Sequence, residues 1–208
     1  MAGALPQFYE RWLGRENRGP EAAGAFDCQN CFMVAPKGLT RDLGPFKSTL
    51  KCCTFHPFLP SFTIGALLQR PESSMLDIDR YMDESRLTRL GAFPLAKGTS
   101  ICETGKLDST RCAFLSKDLA ATCTIRDYRP STCAGYVCRS SRGELGLKDW
   151  RRWEAGIAKF EWSLSHLIAF ELGFVTEELD DEFHSAEEAK AYYVRAYELS
   201  GDITYIDD

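Results

Sequence analysis

The sequence predicts a mainly α-helical single domain, with an irregular, cysteine- and metal-organised N-terminal half packed on C-terminal helices. Three observations predict it. At 208 residues the chain is close to the prior of about 150 residues per domain. Its last third carries apolar residues at helical spacing, whereas the first two-thirds are broken by glycine, proline and polar clusters. And all nine cysteines, against three histidines, fall in the broken part. Composition is otherwise ordinary: 44% apolar and 26% charged residues exclude wholesale disorder and fibrous architectures. With 25 basic and 30 acidic residues the net charge is −5, which lacks the basic footprint of a nucleic-acid binder. No nucleic-acid partner is expected.

Three stretches divide the chain: an N-terminal helix and linker (1–25), a cysteine-cluster metal-binding region (26–140), and C-terminal helices of the same domain (141–208). Residues 4–13, LPQFYERWLG, predict a short amphipathic helix ended by Gly14. From Cys31 to Cys52, Pro36, Gly38, Gly44 and Pro45 predict loop. Ser61 is the expected N-cap of FTIGALLQ, whose Phe62, Ile64, Leu67 and Leu68 are apolar. Ser74-x-x-Asp77 resembles a capping box before a helix through Met82, with Met75, Ile78 and Met82 on one face. Residues 87–123 predict loops with a small hairpin.

A long helix follows over 148–172. Trp150, Trp153, Ile157, Phe160, Leu164, Leu167 and Ile168 fall within about 100° of one another on it, and Gly173 suits its C′ position. The acidic cluster 177–182 predicts a solvated linker or helix start. Ser185-x-x-Glu188 opens the last helix, through about Leu199, with Gly201 ending it.

The first residues lack the apolar core of a signal peptide, and no run approaches the roughly 18 to 20 apolar residues of a membrane span. The expectation is a cytoplasmic protein with no membrane partner. In a reducing compartment cysteines serve as ligands or thiols rather than disulfides. Adjacent Cys52 and Cys53 support this, because neighbouring Cα atoms, about 3.8 Å apart, fall inside the lower limit of about 4.4 Å for ordinary disulfides.

The thiols carry the chemistry. Cys28-x-x-Cys31 is a chelating knuckle, in which one tight turn aims both sulfurs at one metal. Cys52 and Cys53 join it, followed by a second group, Cys112, Cys123, Cys133 and Cys138. All-sulfur sites select soft metals, so zinc, iron or an iron–sulfur cluster is the expected cofactor. Eight thiols could build two four-sulfur sites, or one site with the remaining cysteines packed as small apolar side chains. If the backbone is extended at Cys52 and Cys53, their side chains point to opposite sides. Pro130 fits a first helical position, and a turn starting there would aim unpaired N–H groups at nearby thiolates. Arg126 and Arg129 could add charge-assisted hydrogen bonds to sulfur or a bound anion, which makes Arg129 the candidate cofactor-binding side chain; surface ion pairing is the alternative for each.

CQNC, KCC, RCAFL and CTIRDYRPSTC together resemble the CxxCxxCC (YkgJ-type) family of zinc- or iron-chelating domains, over roughly residues 26–138. Cys123, Ile125, Arg129, Pro130 and Cys133 match its C-terminal block, and Cys112, Phe114 and Leu115 the element before. At the front, twenty residues separate Cys31 from Cys52, where the family pattern is compact. The resemblance implies metal binding in the cytoplasm. Longer relatives regarded as flagellin lysine N-methylases carry an iron–sulfur cluster, which implies, as an alternative, a metal-dependent enzyme acting on a protein or peptide.

His56, in CCTFHP, is either the fourth ligand of a Cys₃His site or a polar loop side chain. Trp162, His166 and Phe170 form a second stripe on the last-but-one helix, opposite the main one. They either pack in the core or face a protein partner, which gives a third reading: a zinc-stapled interaction module. Glu171 falls at the end of the main stripe, so it reaches solvent or has a partner. Tyr192, Tyr193, Tyr197 and Tyr205 are expected to pack the last helix and tail. No nucleotide-binding, metalloprotease or serine-hydrolase motif is present.

Overall fold

The computed structural model describes residues 6–14, 19–20, 53, 55–70, 75–95, 111–116, 122–136 and 142–203. A 3₁₀ turn, Gln7–Tyr9, runs into α1 (Glu10–Leu13). Strand β1 (Leu59–Pro60) leads into α2 (Ser61–Leu68) and α3 (Met75–Asp83), followed by the hairpin β2 (Ser85–Thr88) and β3 (Gly91–Pro94). A 3₁₀ turn, Arg126–Tyr128, precedes the one-turn α4 (Ser131–Ala134). Then come α5 (Gly143–Glu171), a 3₁₀ turn Thr176–Glu178, and α6 (Ala186–Ser200). The described chain is mainly helical, as the sequence predicts. No helix among these residues is long and apolar enough to cross a membrane.

The core is built on α2. Every residue from Ser61 to Leu67 is buried, as expected of a helix apolar on all sides. It lies directly on α6 because Gly65 carries no side chain. A Cβ there would sit 1.9 Å from the Tyr193 carbonyl oxygen. The predicted cap is displaced by one residue: Pro60 is the N-cap, and the Ser61 N–H donates to the Leu90 carbonyl at 3.0 Å. The hairpin turn thus satisfies one of the N–H groups that the first turn of α2 leaves without an intrahelical partner.

The three strands run antiparallel in the order β1–β3–β2, with Ala92 opposite both Leu59 and Leu87. Two buried tyrosines fasten this sheet to the helices. The Tyr193 hydroxyl donates to the Thr88 carbonyl at 2.9 Å, and that of Tyr81 to the Pro57 carbonyl at 2.6 Å. The acidic side chains of 177–182 are exposed, as a solvated stretch predicts, and Glu177 and Glu178 lie in the 3₁₀ turn, but the backbone is tied down. Arg86 and Arg89 donate to the backbone carbonyls of Asp180, Glu178 and Asp181, and Phe183 N–H reaches the Leu87 carbonyl. This holds the stretch on the hairpin.

Helix α5 begins at Gly143, earlier than predicted, and buries Trp150, Ile157, Phe160, Leu164 and Ile168. Leu167 departs from the predicted stripe at 41% exposure, while Glu161, Ser165 and Ala169 are buried. The inward face has rotated by part of a turn toward the last three. Glu171 reaches solvent. The helix ends as Gly173 predicts, with Phe174 N–H bonded to the Ala169 carbonyl and Gly173 N–H to that of Phe170. At α6 the Ser185 hydroxyl caps Glu188 N–H at 3.1 Å, whereas the Glu188 carboxylate takes the His184 N–H. Tyr192 and Tyr193 are buried; Ser74 and Tyr205 lie outside the described residues.

Candidate metal centre

Four of the eight candidate ligands are described, and all four line one cavity: Cys53, Cys112, Cys123 and Cys133. They arrive on separate pieces of chain held together by backbone bonds. Cys112 N–H donates to the Cys53 carbonyl at 3.1 Å. The Cys112 turn in turn pairs with the Cys123 loop, through Thr124 N–H to the Phe114 carbonyl and Ser116 N–H to that of Thr122, both at 2.8 Å. A short antiparallel bridge between Leu115 and Cys123 supplies part of the predicted hairpin character. Helices α2 and α3 anchor the same loop. Arg70 donates to the Thr124 carbonyl at 3.2 Å, and the Thr124 hydroxyl lies 3.1 Å from the Asp77 carboxylate.

The cavity encloses about 70 Å³, several times the roughly 10–15 Å³ that one water requires. Phe114 and Ile125 give it apolar walls, and Arg129 joins them. Arg129 thus lines the same cavity as the thiols, with its Nε bonded to the Arg126 carbonyl at 3.2 Å; Arg126 itself is exposed. No disulfide joins any two of the four cysteines. Among the described residues, no three His, Cys, Asp or Glu side chains stand together at metal-ligand spacing. Cys28, Cys31, Cys52 and Cys138, with Cys102, lie outside those residues. The donor set itself fits a soft cation: sulfur ligands against apolar walls, where a bound ion would neutralise thiolate charge.

His56 is neither a surface side chain nor part of the cavity wall. Its side chain is 7% exposed. Nε2 lies 3.2 Å from the Ala113 nitrogen and 3.0 Å from the Arg111 carbonyl; it accepts the first N–H when unprotonated or donates to the second when protonated, so in either tautomer the imidazole holds a neighbour of Cys112. Nδ1 faces Glu84 at 3.6 Å.

The α4 turn differs from the sequence expectation in a way that matters for Cys133. Pro130 is the N-cap, and Ser131 the first helical residue. Three of the turn's N–H groups have oxygen partners. Those of Cys133 and Ala134 bond to the Pro130 carbonyl at 2.9 Å, and that of Ser131 goes to Glu161 at 2.7 Å. Glu161 is 2% exposed. Its second oxygen accepts the Ser131 hydroxyl at 2.6 Å, and its first also accepts the Tyr9 hydroxyl at 2.7 Å. Burial pushes its carboxyl above the usual range, more than the Ser131 and Tyr9 bonds pull it down. A buried carboxylate beside a helix N-terminus simply competes better for those donors than a sulfur does.

Sequence reasoning missed this group. Glu161 sits at the edge of the α5 stripe, where a carboxylate next to Phe160 reads as a solvated boundary. Trp162 and Phe170, for which core packing was one expectation, are instead 44% and 46% exposed. His166 packs against Trp162, with ring centres 4.8 Å apart. No protein-family model, curated protein or solved structure matches the chain.

Proposed function

We propose that this chain is a cytoplasmic metal-binding protein that chelates zinc or an iron or iron–sulfur centre through its clustered cysteine thiolates. One observation supports the reading above others: cysteines as far apart in sequence as Cys53 and Cys133 share a single cavity. Free cysteines packed independently as small apolar residues have no reason to meet there. Cys53, Cys112, Cys123 and Cys133 would supply sulfur ligands, and Cys28, Cys31, Cys52 and Cys138 are the candidates to complete this site or form a second. When bound, zinc would cross-link the loops, and an iron–sulfur centre would add one-electron transfer. The protein's own contribution is to gather the thiols against the apolar walls of Phe114 and Ile125, with Cys112 buried and the other three half-buried, and with Arg129 at the same cavity to offset their charge.

The test is anaerobic isolation of the full chain, followed by metal and sulfide analysis and an absorption spectrum. Stoichiometric zinc, or iron with a brown chromophore, is expected. Replacement of Cys53, Cys112, Cys123 and Cys133 by serine should remove at least one equivalent. Freshly isolated protein without a transition metal, or a quadruple variant as fully loaded as the parent, would overturn the reading.

A further inference from the structure

We infer that Glu161 is the positioning residue of the cysteine site, holding the α4 turn, and with it Cys133, in register on α5. A four-residue helix cannot hold itself, since isolated helices below about 12–15 residues are marginal in water. The N-cap of α4 is a proline with no side-chain cap bond. Something outside the turn must therefore fix it, and two contacts with α5 do so. At its start, both Glu161 oxygens engage Ser131, at 2.7 and 2.6 Å, and two bonds to two oxygens fix rotation as well as position. At its end, Gly135 lies so close to α5 that a Cβ would stand 2.6 Å from that of Glu154.

Cys133 sits between these two anchors. Tyr9, fully buried, donates to the same oxygen that takes the Ser131 N–H, which ties the N-terminal segment to the same turn. Glu161 meets only hydroxyl and amide donors: among the described residues no lysine or arginine pairs with it. An apolar residue would be the cheaper occupant of so buried a position. Its presence is accounted for by what it holds, an element whose other notable residue is a cavity thiol.

This inference extends the metal-binding reading, but its first test does not depend on metal. In the reduced, metal-free full chain, iodoacetamide labelling with peptide mapping reports each thiol separately. Glu161→Gln removes the charge from both acceptors and turns the oxygen that takes the Ser131 hydroxyl into an N–H₂, so the hydroxyl must reverse its role and the bonds to Ser131 lose their charge assistance. It should speed labelling of Cys133 by about tenfold, through local opening of α4, while Cys53 and Cys112 change less than about twofold, within an intact cooperative melt. Cobalt(II) titration of the same variant should show affinity lowered by about 10–100-fold, the usual size of an effect from outside the ligand set.

Unchanged Cys133 labelling, or equal acceleration of all the cysteines, would overturn the inference. If Glu161→Gln does not fold, Ser131→Ala, which deletes one of the two bonds, must give the same Cys133-selective change at smaller size. A parent chain that takes up no cobalt would instead sink the metal reading, leaving the labelling pattern to decide the role of Glu161.

Discussion

Gly65 and Glu161 show how much single positions decide. Gly65→Ala puts a methyl group into the Tyr193 backbone and should cost about 3 kcal/mol, the upper end for overpacking. For a chain of this length that is a fall in Tm of about 6–12 °C by calorimetry. Glu161 makes stability pH-dependent. Because burial raises its carboxyl above the ordinary 4.5, the folded chain keeps a proton there that the unfolded chain has released. Its contribution is therefore favourable at low pH and is lost as pH rises from about 4.5 through the raised folded value. Glu161→Gln should flatten that part of the slope, as urea unfolding at a series of pH values from about 4 to 8 will show; identical slopes in parent and variant would contradict it. Neither residue announces its role in the sequence. A glycine inside FTIGALLQ reads as a weak helix former, and only the approach of α6 makes it obligatory.

Among the elements, α5 was legible as a helix but not in its orientation. Apolar spacing put Trp150, Trp153, Ile157, Phe160, Leu164, Leu167 and Ile168 on the inward face; Trp150, Ile157, Phe160, Leu164 and Ile168 are buried and Trp153 is half-buried against the core. The same spacing misplaced Leu167, because neighbouring α4 recruits Glu161 and turns the buried face toward Ser165 and Ala169. Trp162 and Phe170 remain on the outside. Replacing either with serine should change stability by less than about 1 kcal/mol, whereas Phe160→Ala should cost about 3–5 kcal/mol. Chemical denaturation of the three variants checks the contrast. Comparable losses would mean that the outer stripe is packed in solution. Strand β1, two residues long, had no signal to find, since it exists only by pairing with β3.

For the molecule as a whole, two kinds of cohesion are set side by side. The contact of α2 with α6, fastened to the hairpin through Tyr193, contains no cysteine. The Cys112 turn, the Cys123 loop and α4 have short backbone ladders and a cavity in their midst. A structural zinc site contributes about 10–16 kcal/mol, as large as the whole stability of an ordinary domain, about 5–15 kcal/mol. Stringent chelation should therefore lower the melting temperature. It should also speed hydrogen exchange at residues 111–116 and 122–134 while α2 and α6 stay protected. A melt and an exchange map unaltered by chelation would count against a metal in the cavity.

The sequence by itself determined the main helical segments, where α5 stops and where α6 starts. Those are local matters: apolar period, a serine cap and a C′ glycine act within a few residues. Only the tertiary structure decided that Cys53, Cys112, Cys123 and Cys133 face one cavity, that His56 holds the Cys112 turn, and that Glu161 takes the N–H expected for a thiolate. Each of these depends on a pairing of distant positions (Cys53 with Cys112, His56 with the Cys112 turn, Ser131 with Glu161), and the relative placement of distant segments is set by packing against α2, α3 and α5, which no spacing along the chain records.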